Sequence, residues 1–213
     1  MILAAGLGNR MRPLTNHKPK PLLEVKGKPL IVYHIEKLAA AGFSEIIINI
    51  AHLGFMIPEA LGNGSKWGIK ISYSDEQEEG ALESLGGIVK ALPLLGTEPF
   101  LIVNADVWCD YEFDVNFDLH GKSAHLILVD NPNHNVNGDF GLENSCAIVS
   151  SSVQYTFSGV GYYDPILFKD CTYGSAPLAP LLREKMEKFE VGATYYNGIW
   201  RDVGTPERLE ELN

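Results

Sequence analysis

The chain has 213 residues, 46% hydrophobic and 21% charged, with 17 Lys+Arg against 27 Asp+Glu and a formal net charge of −10. Surface scaling for this mass gives roughly 10,000 Å² exposed when folded against roughly 34,000 Å² unfolded, so a core forms without disulfide or metal staples. The overall sign excludes bulk binding of nucleic acid or of an anionic membrane, and no apolar run approaches the roughly 18 residues of a membrane span.

The charge is unevenly spread. Residues 1–30 carry Arg10, Arg12, Lys18, Lys20, Lys26 and Lys28 against one acid, Glu24, a local sum of +5. Such a segment suits a small, localised anion. Cys109, Cys146 and Cys171 are far apart with no C-x-x-C, and the histidines form no H-E-x-x-H, so neither a disulfide framework nor a zinc site is indicated. Reduced thiols in a cytoplasmic protein are the expectation. The opening MILAAGLG has no basic leader and is too short for a signal-peptide core, which assigns it to the fold.

In chain order, residues 1–5 (MILAA) form a short apolar run ended by Gly6, a buried strand. Pro29 opens a helix over 30–41, with Gly42 available to cap it, and 45–50 (EIIINI) reads as the second strand. A short helix near 54–61, a strand at 69–73, a helix over 84–92 ended by Pro93 and a strand at 100–103 continue the alternation. Strands separated by helices of this length imply βαβ crossovers and a mostly parallel sheet covered on both faces. Beyond Asp110 the pattern loosens into strands at 124–129, 146–149 and 155–163, a helix over 177–188 and a strand near 192–196. With no repeat and no linker, residues 1–213 read as a single domain.

The chemistry gathers near the start. Gly6-Leu7-Gly8-Asn9-Arg10-Met11-Arg12-Pro13-Leu14 follows the first strand, where a doubly wound sheet places its ligand. It is not a dinucleotide fingerprint, because Met11 stands where the third glycine belongs, nor a Walker loop, because no G-K-[ST] follows. Gly6 and Gly8 still let backbone N–H groups turn toward a phosphate, with Arg10 adding charge-assisted hydrogen bonds. Prolines at 19 and 21 stiffen the backbone around Lys20. A bare G-x-G or a bare K-P-K-P is usually a solvated turn; a glycine turn, an arginine and a stiff lysine together make a sensible triphosphate clamp.

Residues 1–29 (MILAAGLGNRMRPLTNHKPKPLLEVKGKP) resemble the signature of the sugar-1-phosphate nucleotidyltransferases: an apolar strand, G-x-G-x-R-M-x-P-L-T, P-K-P-L and a following K-P. In outline the resemblance spans the chain. It is nearest to the bacterial N-acetylmuramate-1-phosphate uridylyltransferase group, on Leu92-Pro93-Leu94-Leu95-Gly96, Asn104-Ala105-Asp106-Val107-Trp108, Val129-Asp130-Asn131-Pro132, Gly138-Asp139-Phe140 and Leu178-Ala179-Pro180-Leu181-Leu182-Arg183. The resemblance implies an α/β fold: a single-domain, Rossmann-like, doubly wound mixed sheet of the nucleotide-diphospho-sugar transferase (GT-A-like) kind. Residues 1–110 would be its nucleotide-binding half and 111–213 its sugar-binding half.

The same resemblance implies residue roles. Arg10 and Lys20 fall on the catalytic positions that bind the triphosphate as pyrophosphate leaves. Ala5, Gly6, Gly8, Asn9, Glu83, Ser84 and Asn104 join them around the nucleotide. Asp106 and Asp202 fall on the aspartates that hold Mg²⁺, an ion suited to a few carboxylates, phosphate oxygens and retained water. Gly138, Asp139 and Gly159 fall on the sugar pocket. Within Leu82-Glu83-Ser84-Leu85-Gly86-Gly87 the chain departs from the usual pattern at Ser84, which keeps a hydroxyl, and at Leu85, which adds bulk at a close-approach position and bears on base preference. The acidic run 75–79 reads mostly as a solvated loop, and Arg201 is a candidate cation for an acidic group on the acceptor.

The activity implied is transfer of UMP from UTP to N-acetylmuramic acid 1-phosphate, with small-molecule partners only and the oligomeric state left open. Alternatives in the family pair glucose 1-phosphate with dTTP, mannose 1-phosphate with GTP or phosphocholine with CTP. A non-catalytic nucleotide-sugar sensor and a doubly wound domain without a small-molecule role are the readings from other classes.

Overall fold

The apolar run after Met1 lies in the middle of a nine-stranded sheet rather than at its edge. The computed structural model describes residues 1–213, with an accessible surface of 10283 Å². In chain order it contains β1 (Ile2–Leu3), the hairpin of β2 (Glu24–Val25) and β3 (Lys28–Pro29), α1 (Leu30–Ala40), β4 (Glu45–Ile50), α2 (Met56–Leu61) and β5 (Lys70–Asp75). There follow α3 (Glu83–Leu95), β6 (Phe100–Asn104), β7 (Val107–Cys109), β8 (Ala124–Val129), β9 (Phe140–Glu143), β10 (Cys146–Ile148) and β11 (Gln154–Tyr163). The last elements are α4 (Ala179–Met186), β12 (Val191–Tyr195), β13 (Trp200–Asp202) and α5 (Pro206–Glu210).

The sheet runs β5-β4-β1-β6-β11-β8-β12-β10-β9. Its first four strands are parallel, with Ile2 level with Ile48 on one side and Val103 on the other. β11 then enters antiparallel to β6, which makes the sheet mixed. Because β4 and β6 leave β1 in opposite directions across the sheet, the loops after β1 and β6 diverge at a topological switch point, where open α/β sheets bind ligands.

The continuous apolar strand EIIINI is buried on both faces. Ile46, Ile48 and Ile50 join one core with Ile31, Ile35 and Ile57 of α1 and α2, whereas Ile47 faces the other with Ile88 of α3 and Leu182 of α4. A third, smaller cluster joins the two chain ends: Met11, Leu23, Val25 and Leu30 pack with Val203 and Leu209. The methionine that rules out a dinucleotide fingerprint is therefore the fully buried anchor of the first loop.

Most predicted elements appear with ends shifted by a residue or two. The helix expected to stop at Pro93 runs on to Leu95, with Pro93 inside its last turn; so close to the end, the missing N–H costs a single hydrogen bond. The β7–β13 ribbon, the β2–β3 hairpin, β9 and α5 were not predicted. No helix is long and apolar enough to cross a membrane.

His34 sits fully buried on α1, and neither ring nitrogen meets hydrogen-bond geometry. Burial pushes it down to about 4, although the nearby Val107 backbone favours the proton slightly. A buried histidine kept neutral must take up a proton on unfolding, so this contribution to stability is present above the unfolded value near 6.5 and is lost as pH falls toward 4. A shift of that size corresponds to about 3 kcal/mol. Urea unfolding at pH 7 and pH 4.5 should show His34→Leu losing less stability on acidification than the parent; an equal loss would refute the assignment.

Candidate functional site

Five consecutive backbone N–H groups, Gly6 to Arg10, donate to no acceptor in the protein. Gly8 adopts φ +64, and a Cβ there would lie 2.8 Å from Thr15 Cγ2. That close approach lets the Thr15 hydroxyl donate to the Gly8 carbonyl at 2.8 Å, while His52 contacts the Thr15 carbonyl at 3.0 Å, so the loop is tied down beyond the end of β4. A turn with its donors free and its Gly8 and Asn9 carbonyls engaged is prepared for an anion.

Lys20 begins a short 3-10 turn between Pro19 and Pro21 whose next side chain, Leu22, is buried. Its Nζ donates to Asp106 Oδ2 at 2.6 Å, and the lysine side chain is only 11% exposed. Lys18 and Lys28 pair instead with Glu24 and Glu36 on the surface. The +5 segment thus sends one lysine inward.

A cavity of about 220 Å³ opens beside this pair, lined by Leu3, Ala4, Ala5, Gly6, Asn49, Glu83 and Ser84 and closed by Lys20, Asn104 and Asp106. An apolar cavity of about 240 Å³ shares Ser84 and Asn104 with it and adds Asp139, Phe140, Phe157, Gly159 and Arg183. A central space of about 320 Å³ brings Arg10, Asn104, Asp106, Gly159 and Asp202 together. Asn104 is common to all three. Its amide lies against Gly159, at φ +80, where a Cβ would come within 2.6 Å of Asn104 Nδ2.

Asp202 reaches the central space because β13 pairs with β7: Asp202 is level with Val107, and Val203 N donates to the Asp106 carbonyl at 2.8 Å. Its Oδ2 accepts from Arg208 at 2.7 Å and contacts His134 Nε2 at 3.0 Å, whereas Oδ1 is buried with no partner. No group of three or more His, Cys, Asp or Glu side chains is arranged for a metal. Two carboxylates lining one cavity, one with an unpartnered buried oxygen, fit a hard cation that takes its other ligands from phosphate and water.

The remaining predicted residues are placed less directly. Asn9 is exposed and lines none of these cavities. Nor does Gly138, whose φ of +67 and 2.9 Å approach to the Gln154–Tyr155 backbone give it a structural reason to be glycine. Asp139 lines the apolar cavity while accepting from Phe157 N at 2.8 Å and Asn135 at 3.1 Å. Leu85 packs against the core on the α3 side and lines no cavity described here, so its bulk stays out of the cleft.

Three contributors escaped the sequence reading. His134 and Arg208 carry no motif. Glu76, inside the acidic run, is fully buried rather than solvated. It accepts from Asn49 Nδ2 at 2.7 Å and from Leu82 N at 2.9 Å, and Asn49 in turn accepts from Ala4 N at 2.8 Å. This chain of bonds joins the two walls of the inner cavity. Burial raises the Glu76 carboxyl above its ordinary range, against the pull of those hydrogen bonds. The lone asparagine in EIIINI was the available signal.

The nucleotidyl transferase family model matches residues 1–145. The chain belongs to that family. It is 51% identical to an N-acetylmuramate alpha-1-phosphate uridylyltransferase of Neisseria meningitidis serogroup B, over 99% of this chain and 95% of that protein. A protein of the same name from Caulobacter vibrioides is 31% identical over 97% and 92%. A crystal structure of a putative glucose-1-phosphate thymidylyltransferase from Bacillus anthracis, in complex with a sucrose, superposes with a TM-score of 0.87 at 21% identity, covering 100% of this chain and 92% of that one. The family's fold is the mixed α/β sheet described above, and the protein is a nucleotidyltransferase.

Gly87 of α3 makes room for the buried chain of bonds: a Cβ there would lie 2.7 Å from Glu76 Oε1 and 2.8 Å from Asn49 Nδ2. Gly87→Ala should cost about 1–3 kcal/mol in urea unfolding and raise the KM for nucleotide more than that for the acceptor. An unchanged unfolding midpoint would contradict the close packing of Gly87 against this network.

Proposed function

We propose that the protein transfers UMP from UTP to N-acetylmuramic acid 1-phosphate, giving UDP-N-acetylmuramic acid and pyrophosphate. The observation that carries the reading is the meeting of two cavities at Asn104, with Arg10, Lys20, Asp106 and Asp202 gathered where they join. The 51% identity to a uridylyltransferase over nearly the whole chain supports this choice of base and acceptor.

In this reading the nucleoside occupies the inner cavity, against Ala4, Ala5, Glu83 and Ser84. The triphosphate lies along the free N–H groups of Gly6 to Arg10, where Gly6 presents no side chain and so permits close approach. Arg10 and Lys20 offset its charge. The acceptor sugar occupies the apolar cavity, with its phosphate toward Asn104. A phosphate oxygen of the acceptor attacks the α-phosphorus of UTP in line; the new P–O bond forms as the bond to the β-phosphate breaks, and pyrophosphate leaves with the electron pair. No side chain forms a covalent intermediate. Positioning two anions and screening their repulsion supply the rate.

Asp106 and Asp202 would hold Mg²⁺, which when bound supplies positive charge to the reacting phosphates. Arg208 and His134 keep Asp202 Oδ2 turned away, leaving Oδ1 for that purpose. Residues 1–110 act as the nucleotide half and 111–213 as the sugar half.

Pyrophosphate release measured over four nucleoside triphosphates and several sugar phosphates, with and without Mg²⁺, should be greatest for UTP with N-acetylmuramic acid 1-phosphate and vanish on chelation. Lys20→Ala and Asp106→Asn should each lower kcat about 100-fold or more. Preference for another pair would replace the substrate assignment, and absence of turnover with every pair would remove it.

A further inference from the structure

The apolar cavity of about 240 Å³ carries one cation, Arg183, the last residue of Leu178-Ala179-Pro180-Leu181-Leu182-Arg183. Its guanidinium lies 5.5 Å from the centre of the Phe140 ring, a cation–π contact that holds the planar group at the cavity wall. It makes no ion pair and no side-chain hydrogen bond. The paired acids nearby belong to other partners: Glu184 goes to Lys188 and Glu190 to Lys185. Asp139, the one acid lining the same cavity, spends its oxygens on Phe157 N and Asn135.

The other cations of the cleft differ. Lys20 is paired with Asp106 and Arg208 with Asp202. Arg10 faces the central space where the phosphates meet. Arg201, the sequence candidate, alternates with Trp200 and Asp202 along β13; it lines only a larger outer cavity, and its Nη1 donates to the preceding carbonyl. An exposed guanidinium over an aromatic ring, with no hydrogen-bond or ion-pair partner and lining an apolar cavity, matches a ligand that combines apolar substituents with a carboxylate.

Resting on the functional reading above, we infer that Arg183 reads the carboxylate of the acceptor and so selects a carboxylated sugar 1-phosphate over its uncarboxylated parent. In this placement the phosphate end lies toward Asn104 and the acid end toward Arg183 of α4, residues that line one cavity together with Phe140 and Phe157. Arg183 is a specificity-determining residue here and takes no part in the bond exchange.

The test compares N-acetylmuramic acid 1-phosphate with N-acetylglucosamine 1-phosphate, which lacks only the lactyl ether, as acceptors for UTP. Both kcat/KM values, or Kd where turnover is too slow, are measured for the parent, Arg183→Ala and Arg183→Lys. In Arg183→Ala the preference for the carboxylated acceptor should fall about 10- to 100-fold, chiefly through KM, as expected for losing one charge-assisted contact. Arg183→Lys should recover part of it. Equal losses on both acceptors, or no loss on either, overturn the inference while leaving the uridylyltransferase reading intact. A parent enzyme that uses only uncarboxylated acceptors overturns the functional reading, and this inference with it.

Discussion

The ion pair between Lys20 and Asp106 is the contact on which the cleft depends. It joins the basic N-terminal segment to the end of β6 across 86 residues of chain, at 2.6 Å, with the lysine side chain largely out of water and Asp106 34% exposed. Taking the lysine charge out of solvent offsets much of what the attraction returns, so such a pair is weak evidence for stability. Its value lies in position. Pro19 and Pro21 fix the backbone from which the lysine extends, and Asp106 leaves a strand whose register with β1 is set by Val103 opposite Ile2. Each charge is therefore placed before any ligand arrives, and in the proposed reaction neither must be reorganised at the moment of transfer.

The same register explains why the site forms where it does. β1 is flanked by two parallel neighbours reached by crossovers on opposite sides of the sheet, so its following loop and that of β6 open away from each other. The gap is filled from one side by the glycine loop and from the other by the bulge of β11 near Gly159. Met11 buried at the chain ends, Thr15 beneath Gly8 and Asn104 against Gly159 are three separate anchors. The loop donors stay free because the loop's fixed points lie elsewhere.

Much of this was legible in the sequence because it is local. The double-sided burial of EIIINI, the glycine turn after β1 and the stiff lysine each declare themselves within a few residues. What remained hidden depends on contacts between distant segments. Glu76 looks like its acidic neighbours until Asn49 and Leu82 N are brought to it. Leu85 looks obstructive until the helical turn directs it into the core. The β7–β13 ribbon has no periodic signature, since three-residue strands are too short for one, yet it carries Asp202 to Asp106. Gly138, which the resemblance places on the sugar pocket, has a geometry that already accounts for the glycine.

Asp202 makes the division of labour within one side chain explicit. Were its carboxylate simply a counter-ion for Arg208, both oxygens would turn to the guanidinium in the favoured bidentate fork. Instead Arg208 Nη1 and His134 converge on Oδ2, and Oδ1 is left buried and unpartnered. Leaving a carboxylate oxygen desolvated without a donor is unfavourable. A Cβ at Gly204 would lie 2.9 Å from both Oδ1 and Arg208 Nη2, so glycine leaves room for this arrangement. In the proposed reaction, that unpartnered oxygen, in the cavity that also contains Asp106 and Arg10, is the one a cation would take.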